Sequence, residues 1–223
     1  MVFESGNYEM ELRKSPISFI LFIIAAIVFT YFTIVVKISE PLQFDQTVSS
    51  FLTKIFSESS YPFFKLLNLM GSSIGIGLTT LIAVAVLWLK KRAYLSMSML
   101  AIAVSTGALL NKATKNLIGR PRPETEHLVY VKSLSYPSGH AMMTTILYLL
   151  LAYFIARNIH NHAGKLMTLF IAVVVILLMG ISRVVLQVHY PSDVVAGFAL
   201  GFIWVFIAIF VYEFFHKKLV NTK

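Results

Sequence analysis

The chain contains no cysteine. Disulfides, thiolate metal sites and a cysteine nucleophile are therefore excluded, and nothing can be read about redox compartment. Charge is scarce too. Asp, Glu, Lys and Arg make up 13% of the 223 residues, about half the share of an ordinary soluble domain. There is no internal repeat and no low-complexity segment. There is also no extended polar face on which nucleic acid could lie, so the formal charge of +9 is not read as a nucleic-acid signal. Anionic lipid headgroups and phosphate groups account for it more simply.

What the sequence does have is apolar surface. Hydrophobic residues make up 57% and the mean hydropathy is +0.78, against about 45–50% apolar in soluble domains. The expected architecture is a single all-α membrane domain over residues 1–223: a bundle of six transmembrane helices, with an amphipathic interfacial helix between the first two. The expected spans are residues 17–36, 66–89, 93–110, 140–156, 166–187 and 193–215. The first is too long for the core of a cleavable signal peptide and no small-residue cleavage site follows it. Residues 1–14 read as a frayed or surface-lying end. Over residues 41–61, Phe44, Val48, Phe51, Leu52, Ile55 and Phe56 form one apolar helical face. Asp45, Gln46, Thr47, Ser50, Thr53 and Lys54 fall largely opposite, and Pro62 reads as the stop. Such a helix either guides lipid toward a site or closes the bundle. Gly71, Gly75 and Gly77 permit close helix contact in the second span.

The ionisable residues gather at the mouths of these spans, in three clusters. Arg183, His189 and Asp193 lie between the last two apolar runs. Ionisable groups at membrane depth are functional candidates by default. Histidine can act as nucleophile or proton carrier, a carboxylate four residues on can fix its tautomer, and arginine can grip an oxyanion with two donors. Lys115, Arg122 and Pro123 lie in the polar stretch 111–136, read as a loop. On their own they would suit a basic loop on anionic headgroups. Pro137, Ser138, Gly139 and His140 open the fourth span. By themselves they read as an ordinary helix cap, although free N–H groups at a helix start also favour an anion.

Taken together as Lys-x6-Arg-Pro, Pro-Ser-Gly-His and Ser-Arg-x5-His-x3-Asp, the clusters resemble the signature of the type-2 phosphatidate phosphatase superfamily. That superfamily includes membrane lipid phosphatases, soluble acid phosphatases and vanadium haloperoxidases. The resemblance covers residues 115–193 and implies a role for each matched position. His189 would be the nucleophile that forms a phosphohistidine, and Asp193 would orient its ring. His140 would protonate the leaving alkoxide and then activate water. Lys115, Arg122, Ser138, Gly139 and Arg183 would bind the phosphate. No metal and no cofactor is implied.

The implied substrate is a phosphorylated lipid of the bilayer, with no obligate protein partner evident. Bacterial members act on phosphatidylglycerol phosphate, undecaprenyl pyrophosphate, phosphatidate or lysophosphatidate; the first is favoured here and the second is close behind. A non-enzymatic lipid-binding or transport bundle is the rival from another class. It would spread charge along a pathway, whereas here the charge collects at one end of the spans. Arg120, Lys132 and His127, the last with Glu124 and Glu126 beside it, receive no firm role. Lysine and arginine divide ten against nine between the two sides, or ten against six once Lys115, Arg122 and Arg183 are set aside. The bias favours cytoplasmic termini and an extracytoplasmic site in the cell membrane.

Overall fold

In hydrocarbon an apolar segment must satisfy its own backbone N–H and C=O groups, so a chain of this composition has little choice but helix. The computed structural model describes residues 16–38, 42–91 and 93–221. The expectation for residues 1–14 lies outside them. Among the described residues all the regular structure is helical: α1 (Pro16–Ile38), α2 (Gln43–Ile55), α3 (Tyr61–Met70), α4 (Ser73–Lys91), α5 (Tyr94–Ile118), α6 (Gly139–Ala156), α7 (His162–Val185) and α8 (Pro191–Val220). Five of these are long and apolar enough to cross a membrane. The pair α3–α4, bent by 60° at its break, makes a sixth crossing if counted as one. Large apolar side chains such as Ile20, Ile24, Leu81, Phe170 and Leu177 face outward. That outer surface suits lipid, and the chain is a multi-pass membrane protein.

The core forms where α6 packs against α5, α7 and α8, with α1 against the far side of α8. Leu100, Met142, Ile146, Leu147 and Leu150 are fully buried there. The α6–α8 crossing is close because α8 carries glycine at 197 and 201. A Cβ at Gly197 would come within 2.7 Å of the Ser138 carbonyl, and one at Gly201 within 2.8 Å of the Met142 carbonyl. Small residues four apart are a common device for close helix contact in membranes.

Three local expectations change. Pro62 begins a helix instead of ending one: α2 stops at Ile55, and Pro62 sits in the first turn of α3. Proline suits that position because the first N–H groups of a helix have no internal partner. The glycines of the second span act differently from one another. Gly75 fits against the end of α3 at the bend, Gly71 lies against the His140 ring, and nothing lies within 4 Å of a Cβ on Gly77. Finally, α5 continues through residues 111–118, which the polarity of that stretch had suggested was loop. It ends at Gly119, whose left-handed φ of 73° lets its N–H bond back to the Lys115 carbonyl at 2.9 Å. Lys115 is therefore on the last helical turn.

The alternation of helix direction has one consequence for function. The C-terminal ends of α5 and α7 and the N-terminal ends of α6 and α8 carry Lys115, Arg183, His140 and Asp193 to the same end of the bundle.

Candidate active site

The site is best built outward from Asp193, in the first turn of α8 and fully buried. Its Oδ2 accepts the Tyr190 backbone N–H at 3.0 Å and the Ser135 hydroxyl. It also faces His189 Nδ1 at 3.4 Å. Ser135 Oγ lies 3.3 Å from the same ring nitrogen. A carboxylate can only accept, so this geometry favours the tautomer with hydrogen on Nδ1 and the lone pair on Nε2.

Cations surround that imidazole. Burial, followed by the charges of Arg183, Arg122 and Lys115 and a smaller effect of His140, holds its pKa well below the usual histidine value. The three clusters, far apart in sequence, thus act on one ring. Lys115 Nζ donates to the carbonyls of Leu134 at 2.5 Å and Ser135 at 3.0 Å. Arg122 Nε donates to the Ser133 carbonyl at 2.6 Å, and its Nη1 donates to the Val188 carbonyl. Burial lowers the Arg122 pKa although the Asp193 carboxylate opposes the shift. Arg183 is 1% exposed and donates from Nη1 to Asn68 Oδ1. Its buried Nε has no hydrogen-bond partner among the described residues. A buried guanidinium donor without a partner costs free energy, and a phosphate oxygen would satisfy it.

Ser138 caps α6, accepting the Ala141 N–H at 3.4 Å. Its own N–H donates to the Asp193 carbonyl at 2.9 Å, which ties the starts of α6 and α8 together. Gly139 is the first residue of α6; a Cβ there would sit 3.1 Å from Asn111 Oδ1. His140 follows, its Nε2 at 3.0 Å from the Asn68 carbonyl.

Several participants were missed from sequence. Arg120, left without a role, is 3% exposed and joins two carboxylates. Its Nη1 donates to Asp193 Oδ1 at 2.6 Å and to Ser192 Oγ at 2.8 Å, and its Nη2 reaches Asp45 Oδ2 at 2.8 Å. The guanidinium also lies 3.9 Å from the Tyr190 ring centroid. Burial opposes its charge, but Asp193 and Asp45 outweigh that and raise its pKa above the ordinary arginine value. Asp45, assigned to the polar face of α2, is buried at 3% exposure. It accepts the Ser192 N–H at 2.7 Å and the Ser192 hydroxyl at 2.8 Å. Ser135, Asn68 and Asp45 have no motif that would announce them. The one available signal was a lone carboxylate in an otherwise uncharged half-turn of an amphipathic helix. His127, Glu124, Glu126 and Lys132 are exposed, and His127 Nε2 lies within its own loop, 3.0 Å from the Pro123 carbonyl. His216 lies beside Arg157 at the other end of the bundle.

The family model for the PAP2 superfamily matches residues 91–218, more than half of the chain. A relative named phosphatidylglycerophosphatase B, from Bacillus subtilis (strain 168), is 40% identical over 110 residues, covering 49% of this chain and 54% of the relative. Decaprenylphosphoryl-5-phosphoribose phosphatase from Mycobacterium tuberculosis (strain ATCC 25618 / H37Rv) is 37% identical over 91 residues, covering 39% of this chain and 45% of the relative. These matches span about half the length of the curated relatives. The crystal structure of a transmembrane PAP2-type phosphatidylglycerolphosphate phosphatase from Bacillus subtilis superimposes with a TM-score of 0.77 at 28% identity, covering 88% of this chain and 96% of that one.

The Arg120 network makes a direct prediction. Arg120→Met takes the guanidinium away from two buried carboxylates and should lower stability by about 3–5 kcal/mol. Adding Asp45→Asn should recover part of that loss. Thermal unfolding in detergent, run as a double-mutant cycle, measures the coupling, and a value under about 0.5 kcal/mol would contradict the ion pair.

Proposed function

The chain belongs to the PAP2 superfamily, and from that premise we propose that it is a metal-independent lipid phosphatase acting through a phosphohistidine intermediate. The observation that carries this reading is a buried imidazole whose Nδ1 faces a carboxylate, with Lys115 bonded to the Ser135 carbonyl, Arg122 to the neighbouring Val188 carbonyl and a partnerless buried Nε on Arg183. Lys115, Arg122 and Arg183 bind the phosphate oxygens, with Ser138 and Gly139 at the start of α6 beside them. His189 Nε2 attacks phosphorus as the P–O bond to the lipid breaks. The proton stays on His189 Nδ1, facing the Asp193 carboxylate, which stabilises the charge that develops on the ring. Protonated His140 gives its proton to the departing alkoxide. Neutral His140 then takes a proton from water, the hydroxide attacks phosphorus, and the P–N bond to His189 breaks. Inorganic phosphate leaves and the two rings return to their starting states.

We place phosphatidylglycerol phosphate first among substrates. The support is the activity in the names of the 40%-identical relative and of the structure that superimposes at 0.77. A polyprenyl diphosphate such as undecaprenyl pyrophosphate is the second reading, favoured by the decaprenyl-linked substrate in the name of another relative. The lysine and arginine bias supports cytoplasmic termini and a site on the extracytoplasmic face.

His189→Ala should abolish phosphate release while the protein keeps its thermal midpoint, and wild-type turnover should persist in excess EDTA. Retained turnover in the alanine variant would remove the covalent mechanism. In matched micelles, kcat/KM for phosphatidylglycerol phosphate should exceed that for undecaprenyl pyrophosphate; the reverse order would select the second reading. The pH profile offers a further check. Burial and nearby cations disfavour the imidazolium of His189, so the ring keeps its lone pair below the ordinary pKa of about 6.5. Once the second ionisation of the substrate is divided out, the acid limb of kcat/KM should lie below that value. A limb at or above it would contradict the assigned electrostatics.

A further inference from the structure

A short helix that precedes the family-matched region, α3, reaches into the site at two points. α3 lies wholly before residue 91, where the family match begins. From it, Asn68 makes two contacts of different kinds. Its side-chain Oδ1 accepts from Arg183 Nη1, and its backbone carbonyl sits 3.0 Å from His140 Nε2. A carbonyl oxygen only accepts, so the His140 hydrogen on that side is on Nε2, and Nδ1 is left to exchange a proton. Three residues on, Gly71 is buried where α3 ends. A Cβ on it would fall 2.6 Å from His140 Cδ2 and 3.4 Å from Met179 Sδ. That is closer than two carbons can approach, so only glycine leaves the imidazole where it is.

We propose that Asn68 and Gly71 are positioning residues: Asn68 fixes the Arg183 fork and the His140 ring relative to each other, and Gly71 leaves the space that ring occupies. The argument is geometric. Arg183 has one terminal nitrogen bound to the Asn68 amide, so the plane of the guanidinium is set and its unpartnered Nε has a fixed direction. His140 has one ring nitrogen bound to the same residue, so its other nitrogen is aimed as well. Phosphate grip and proton delivery are therefore set from a single turn of a short helix. A displacement of about 1 Å in either group is enough to reduce turnover substantially. This inference rests on the phosphatase reading above.

The two halves separate experimentally because one contact uses a side chain and the other uses the backbone. Asn68→Ala removes the acceptor of Arg183 and keeps the carbonyl facing His140. It should weaken inhibition by orthovanadate about tenfold or more, with KM raised for lipid and soluble substrates alike. Gly71→Ala displaces the His140 ring and keeps the Arg183 contact. It should reduce kcat/KM, which reports only the step that forms the phosphohistidine, about tenfold on phosphatidylglycerol phosphate, whose alkoxide needs a proton to leave. On p-nitrophenyl phosphate, whose phenolate leaves unaided, the loss of kcat/KM should stay within about threefold. Should Asn68→Ala fail to purify as a folded species, Asn68→Gln shifts the amide by one methylene and serves the same comparison. Vanadate affinity within about twofold of wild type in the Asn68 variant, or an equal loss of kcat/KM on both substrates in the Gly71 variant, would overturn the proposal. Failure of the underlying reading looks different: wild-type protein inert on the lipid, or His189→Ala still active.

Discussion

A carboxylate sealed from water must be matched by donors or it does not stay ionised, and Asp193 is matched on every side. One oxygen meets the Arg120 guanidinium; the other meets the Ser135 hydroxyl and the Tyr190 amide and faces the His189 ring. Its backbone carbonyl receives the Ser138 N–H at the start of α6. Residues from the loop after α5, the segment before α6 and the turn before α8 are thus all referred to one side chain. The tautomer of His189 depends on that side chain being charged, which the Arg120 guanidinium, the Ser135 hydroxyl and the Tyr190 amide favour.

The same requirement draws α2 into the structure. Arg120 spans two carboxylates, and the second is Asp45 on a short helix whose Phe44, Phe51 and Ile55 face outward. The partly buried side of that helix packs on α7 and α8. Asp45 also binds the backbone and the hydroxyl of Ser192, so the first turn of α8 is held from outside as well as from within. α3 performs a comparable task for the other imidazole. The family-matched region carries the ionisable groups, while the two short helices before it hold several of them in place.

The family was legible in the sequence because its motifs have fixed spacing. Lys115, Arg122, His140, Arg183, His189 and Asp193 stand at intervals that few other arrangements share. The apolar runs between them are long enough to leave helix as the only solution in a bilayer. The sequence was not legible where a residue matters through a partner distant in the chain. Asp45 and Arg120 are 75 positions apart, and Asn68 and Arg183 are 115 apart. Asp45 was placed on the polar face because helical periodicity sorts residues by polarity and cannot tell solvent from a buried ion pair. Lys115 was placed in a loop because polarity marks the edge of the apolar stretch, whereas the helix itself ends only where Gly119 turns left-handed.

The amino-acid sequence alone therefore determined the all-helical membrane class, the identity of the charged groups and the end of the bundle to which alternating helices carry them. Those properties follow from local composition and from the parity of the crossings, and both are countable along the chain. The tertiary structure alone decided which nitrogen of each imidazole is committed, which arginine serves a carboxylate and which keeps a donor without a partner, and that α2 and α3 close around the site. These depend on distances of about 3 Å between groups scores of residues apart, and packing sets such distances where no periodicity records them.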